Sequence, residues 1–180
     1  MVVAFVQKAA FSGLAAVIAA GAGLVTSASV SQAPAYGAAA AKLEADAAAR
    51  NAARLFDRAD LNNDGDLDRD EYVILAVVTA ELANLNGFAS LDDGDGVQTV
   101  SLPSTRKSDL TAKAKSAIRS NADREFDFAA GDDERLARHE FVAVELERFI
   151  ANDNDRNGVL VGAELTSYAA AQSRLPLLNS

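Results

Sequence analysis

The sequence predicts a mainly α domain of helix-loop-helix units. Three observations carry this expectation. Apolar residues recur at helical spacing in five stretches, 38–58, 70–85, 108–123, 138–152 and 163–174. Segments rich in Asp, Asn and Gly, residues that favour turns over helix interiors, separate several of these stretches. Two of those segments, 60–71 and 153–164, repeat one pattern of oxygen-bearing side chains around a glycine.

The stretch 38–58 reads as an Ala-rich amphipathic helix with Leu43, Ala47, Leu55 and Phe56 toward one side. The stretch 70–85 is apolar almost all round, which predicts a central, buried helix. From Phe88 to Pro103 the chain changes to Asp, Gly and β-branched residues. Val97, Thr99 and Ser101 alternate there with Gln98, Val100 and Leu102, the period of a short strand after a turn. Helix resumes over 108–123 behind a Ser108 cap, with Leu110, Ala114, Ala117 and Ile118 at helical spacing. The stretch 138–152 places Phe141, Val142, Leu146, Phe149 and Ile150 on its apolar side, and 163–174 is the last helix.

Composition narrows the chemistry. The chain has 180 residues, enough for one domain, and 39 of them are alanine, so large apolar side chains are scarcer than the 49% hydrophobic content suggests. A net charge of −9 repels a phosphate backbone, which argues against nucleic-acid partners. There is no Cys and one His, His139, so disulfide scaffolds, Cys/His zinc sites and cysteine nucleophiles are excluded. Oxygen-ligand chemistry remains. His139 itself, beside Glu140 at a helix start, reads as a surface residue.

Residues 1–35 read as a signal peptide and flexible leader. Lys8 is the only charge before Lys42, and it precedes an apolar run from Ala9 to Val25 and then small residues. Cleavage after Ala28 and after Ala35 both fit, and an uncleaved anchor is the alternative, the run being at the short edge of a membrane span. Removal leaves 16 basic and 26 acidic residues, a net charge of −10. The expected location is periplasmic or secreted, with 38–175 as the folded domain and no membrane contact beyond the signal peptide.

The chemistry lies between the helices. In 60–71, Asp60, Asn62, Asp64, Asp68 and Glu71 stand at loop positions 1, 3, 5, 9 and 12, with Gly65 at 6 and Leu67 at 8. Calcium takes six to eight hard oxygen ligands at about 2.3 to 2.6 Å, and a short loop encloses it when alternate residues point inward and a glycine takes the sharp bend. Asp60, Asn62 and Asp64 would supply one oxygen each, Asp66 its backbone carbonyl, Asp68 a direct or water-bridged oxygen and Glu71 both carboxylate oxygens. In 153–164, Asp153, Asp155, Asn157 and Glu164 occupy positions 1, 3, 5 and 12, Gly158 position 6, Val159 the carbonyl position and Leu160 position 8. Position 9 is Val161, so water must fill that ligand place.

These two loops resemble the EF-hand calcium-binding motif position for position, with Phe56 and Phe149 four residues before the first ligand. The chain looks like the small exported EF-hand proteins of bacteria. The resemblance implies helix-loop-helix units, two bound Ca²⁺ ions and no common reaction. A third segment, 129–140, keeps Leu136 at position 8 and Glu140 at 12. Ala129, Gly131 and Glu134 stand at positions 1, 3 and 6, which leaves Asp133 and Glu140 as the only well-placed carboxylates and predicts a non-binding, structural copy. The acidic turn Asp92, Asp93, Asp95 has Ser104 where a bidentate Glu would be needed and reads as solvated loop.

Three function classes follow: a calcium buffer or sensor, a calcium-stabilised structural or protein-interaction module with an unidentified protein partner, and an enzyme with structural calcium. The last ranks lowest because no nucleophile and base pairing is visible. A dockerin-like module is disfavoured, since the two loops begin 93 residues apart rather than in adjacent halves. Carboxylate count makes the Asp60 loop the tighter site. EF-hand loops usually pair through position 8, and a helix over 140–153, about 20 Å long, keeps the loops at its two ends from pairing with each other. Leu67 is therefore expected to pair with Leu160 in preference to Leu136, with 97–102 covering the strand left over.

Overall fold

The structure is a computed structural model and describes residues 37–102 and 108–174. The leader over 1–35, position 104 and residue 175 lie outside the described residues. The described chain is mainly helical with short strands. Helices α1 (Ala45–Ala59) and α2 (Arg69–Asn86) flank loop 60–71, and α4 (Arg138–Asn152) and α5 (Gly162–Gln172) flank loop 153–164. Helix α3 (Ala112–Ala130) leads through a 3₁₀ turn, Gly131–Asp133, into α4. Among the described residues, no helix is long and apolar enough to cross a membrane.

Among the described residues, seven short strands join these helices: β1 (Ala38–Ala39), β2 (Lys42–Glu44), β3 (Asp66–Leu67), β4 (Phe88–Asp92), β5 (Val97–Ser101), β6 (Leu136–Ala137) and β7 (Val159–Val161). The expected pairing of Leu67 with Leu160 is wrong. Leu67 lies opposite Leu136 in the antiparallel pair β3–β6, and Leu160 lies opposite Leu43 in the antiparallel pair β2–β7. Packing decides the partner: Phe56, which precedes loop 60–71, meets Phe141, which follows Leu136, edge to face at 6.0 Å. As expected, α4 is one continuous helix, and it holds β6 and β7 at its two ends.

The same pairing corrects the first helix, which starts at Ala45 rather than at 38. Burial of Leu43 against Leu160 draws 42–44 into a strand and overrides the helix propensity of the alanines. Residues 97–101 do not cover a leftover loop strand. They form the middle of a three-stranded sheet, antiparallel to β4 and parallel to β1. Gly37, ahead of β1, has φ +104° and a Cβ there would stand 2.2 Å from the Val97 carbonyl oxygen, so only glycine fits this approach. Helix α3 begins at Ala112, capped by Thr111, whose Oγ accepts from the Ala114 amide at 3.1 Å, not by Ser108.

Among the described residues two apolar cores result. Around loops 60–71 and 129–140, Phe56, Leu67, Tyr72, Ile118, Phe126, Leu136 and Phe141 pack together. Around loop 153–164 and the sheet, Leu43, Leu91, Val100, Leu102, Phe149, Leu160 and Tyr168 do so. Helix α2 is not buried all round. Tyr72, Val73, Ala76, Val77 and Ala80 face the core, whereas Ile74, Val78, Leu82 and Leu85 form an exposed apolar row.

Candidate metal centre

Each of the two loops is wired by the same hydrogen bonds. In loop 60–71 the Gly65 amide donates to Asp60 Oδ2 at 3.1 Å and the Asp64 amide to Asp60 Oδ1 at 3.2 Å and Asn62 Oδ1 at 2.8 Å. In loop 153–164 the Gly158 amide donates to Asp153 Oδ2 at 2.9 Å and the Asn157 amide to Asp153 Oδ1 at 3.2 Å and Asp155 Oδ1 at 3.1 Å. The position-7 amides follow suit, Asp66 to Asp64 Oδ1 at 3.1 Å and Val159 to Asn157 Oδ1 at 2.7 Å. The closing glutamates reach back to the loop start: Glu71 Oε1 accepts from Leu61 at 2.9 Å, and Glu164 Oε1 accepts from Asn154 at 3.0 Å.

The backbone makes this wiring possible. Asn63 and Arg156 at position 4 have φ of 57° and 58°, and Gly65 and Gly158 at position 6 have φ of 92° and 77°. Two left-handed residues within three turn successive amides inward, toward the Asp that opens the loop. Leu67 and Leu160 at position 8 are both fully buried, so each loop is pinned to a core by one side chain. Asp68 caps α2, its Oδ1 accepting from the Glu71 amide at 2.9 Å while Glu71 Oε2 accepts from the Asp68 amide at 3.1 Å.

The loops differ in how far their carboxylates converge. Asp153, Asp155 and Glu164 each bring one oxygen within 4.8 Å of the others, the one group of three or more His, Cys, Asp or Glu so gathered among the described residues. Oxygens around a shared calcium at about 2.3 to 2.6 Å stand no more than about 4.6 to 5.2 Å apart, so this donor set fits that ion in spacing and in hardness. Asp60, Asp64, Asp68 and Glu71 belong to one loop but are not drawn together to that spacing. Asp64 turns instead to Arg135, whose Nη1 lies 2.8 Å from its Oδ2. That hydrogen bond, helped by the one from the Asp66 amide, holds the Asp64 carboxyl below the usual carboxylate range. Nothing in the loop pattern pointed to Arg135, since position 7 is read for its carbonyl.

Loop 129–140 keeps fragments of the wiring. The Arg135 amide donates to Asp133 Oδ1 at 3.2 Å and the Ala137 amide to Glu140 Oε2 at 2.9 Å. Ala129 cannot gather amides as Asp60 and Asp153 do, and Gly131 starts a 3₁₀ turn. The acidic turn after β4 is not simply solvated: Asp92 pairs with Arg58 and, at 3.9 Å, with Arg54, and its amide donates to Asn51 Oδ1 at 2.8 Å. His139 is exposed.

The interior also holds charge. Glu125 accepts from Arg148 at 3.2 Å and Arg174 at 2.9 Å, Arg148 also pairs with Glu145, and Arg174 donates to the Tyr72 hydroxyl at 3.3 Å. These charges neutralise one another and hold α3, α4 and the chain after α5 together. Burial pushes the Tyr72 and Tyr168 hydroxyls above the ordinary tyrosine range. Comparison of the chain with family models, curated proteins and solved structures found no match.

Proposed function

We propose that the chain is a calcium-binding protein of the EF-hand type, exported from a bacterial cell, that takes one Ca²⁺ in loop 60–71 and one in loop 153–164. The observation that carries this reading is the repeated wiring: two loops 93 residues apart in sequence share the same amide-to-carboxylate bonds, the same left-handed turns and the same buried position-8 leucine. In loop 153–164 one oxygen from each of Asp153, Asp155 and Glu164 lies within the spacing a calcium shell needs. Asp60, Asn62, Asp64, Asp68 and Glu71, with the Asp66 carbonyl, are the ligands of the first ion, Asp68 acting directly or through water. Asp153, Asp155, Asn157 and Glu164, with the Val159 carbonyl and a water at position 9, are those of the second. Export rests on the leader pattern alone, and no catalytic activity is proposed.

Calcium then serves folding, because an acidic chain repels itself and an ion bound only by the folded form stabilises it. Each site contributes about 2.7 kcal/mol at a hundredfold excess over its dissociation constant. Adding Ca²⁺ to the chelated protein should raise its melting temperature by roughly ten degrees, and an equal ionic strength of NaCl should scarcely move it. A melting temperature indifferent to chelator and calcium sinks the proposal.

The exposed row Ile74, Val78 and Leu82 on α2, directly after loop 60–71, supports a protein-contacting use beside simple buffering. An apolar dye that binds this row more strongly with calcium than without marks a sensor. Equal binding in both states marks a static interaction module.

A further inference from the structure

Loop 129–140 has lost its own ligands, yet the pair β3–β6 brings it against loop 60–71 and delivers a cation there. Arg135, next to the paired Leu136, reaches Asp64 Oδ2 at 2.8 Å and Asp66 Oδ2 at 3.8 Å. The other oxygen of Asp64 already accepts from the Asp66 amide at 3.1 Å. Both oxygens of a proposed ligand are thus engaged, one of them by a guanidinium. Loop 153–164 offers the comparison. Its strand partner is β2, which places no basic side chain on Asp153, Asp155 or Glu164, and among the described residues these three acids have no ion pair. They converge, whereas the acids of loop 60–71 do not.

We infer that Arg135 is an affinity-setting residue of loop 60–71: the damaged loop supplies a guanidinium that competes with the ion for Asp64 and opposes a dication there. The inference rests on the calcium reading above. A unit positive charge about 6 Å from a divalent ion in near-water dielectric weakens binding on the order of tenfold. The excess of acids in loop 60–71 over loop 153–164 is thereby partly cancelled. The guanidinium is itself half exposed, so its pairing with Asp64 adds little to folding and its removal leaves the domain intact.

The test is calorimetric titration of the full chain with Ca²⁺ in a Glu164→Gln background, which confines the strong response to loop 60–71. Arg135→Gln should tighten that site about tenfold, equivalent to about 1.4 kcal/mol. Arg135→Lys, which keeps the charge but not the planar fork, should stay within about threefold of the parent. In a Glu71→Gln background Arg135→Gln should leave loop 153–164 unchanged. An Arg135→Gln site no tighter than its parent, or a Lys variant as tight as the Gln variant, overturns the inference while calcium binding itself stands. If neither background takes up calcium, the calcium reading fails and this inference fails with it.

Discussion

Leu67 and Leu136 face each other across the antiparallel pair β3–β6, both fully buried, so the intact loop 60–71 is paired with the damaged loop 129–140. Loop 129–140 thereby contributes Leu136 to the same core as Leu67. Either leucine replaced by alanine should destabilise the domain by about 2 to 5 kcal/mol, the cost of a cavity in a packed core. Because the two side chains share that cavity, the double variant should lose at least about 0.5 kcal/mol less than the sum. Leu67→Ala with Leu160→Ala, in separate cores, should be additive within about 0.5 kcal/mol. Chemical unfolding of the five variants measures both cycles, and coupling of Leu67 to Leu160 instead would contradict the fold.

Buried tyrosines set an alkaline limit. Tyr72 and Tyr168 have hydroxyl pKa values raised by burial, so the folded chain holds them neutral after the unfolded chain has begun to ionise. Their contribution is complete below the unfolded value of about 10 and is lost as pH rises from there toward the folded values. The denaturant midpoint should therefore fall with pH above about 10. Tyr168→Phe should flatten that fall, and a slope identical to that of the parent chain would show that Tyr168 is not held neutral.

The local features were legible and the long-range ones were not. The turn geometry of loops 60–71 and 153–164 was legible because their oxygen-bearing residues, glycines and leucines lie at fixed positions within twelve residues, and α4 because Phe141 to Phe149 keeps one period between clear ends. The partner of Leu67 could not be read, since every loop offers an apolar residue at position 8 and the choice is made by the distant contact of Phe56 with Phe141. Leu43 reads as helix in the sequence because three alternating residues, Lys42, Leu43 and Glu44, are too few to outweigh the alanines after them. In α2 an apolar surface on all sides gave no indication of which face would find a cover. Arg135 went unread because its neighbour in space is 71 residues away in sequence.

The two sites should differ in strength. Loop 60–71 offers Asp60, Asp64, Asp68 and Glu71, whereas loop 153–164 offers Asp153, Asp155 and Glu164 with Val161 in place of a ligand. Arg135 narrows this difference without reversing it. Glu71→Gln should weaken the first site by a larger factor than Glu164→Gln weakens the second, as measured by competition with a calcium chelator of known affinity. Equal factors would mean that carboxylate number does not rank these loops.

The most direct test of calcium binding is the stoichiometry of a calorimetric titration of the chelator-treated full chain with Ca²⁺. Two ions per chain are expected, falling to one in Glu71→Gln or in Glu164→Gln at concentrations that saturate only the intact loop, and to none when both are changed. A full chain that takes up no calcium, or a double variant that still binds two ions, would contradict the account.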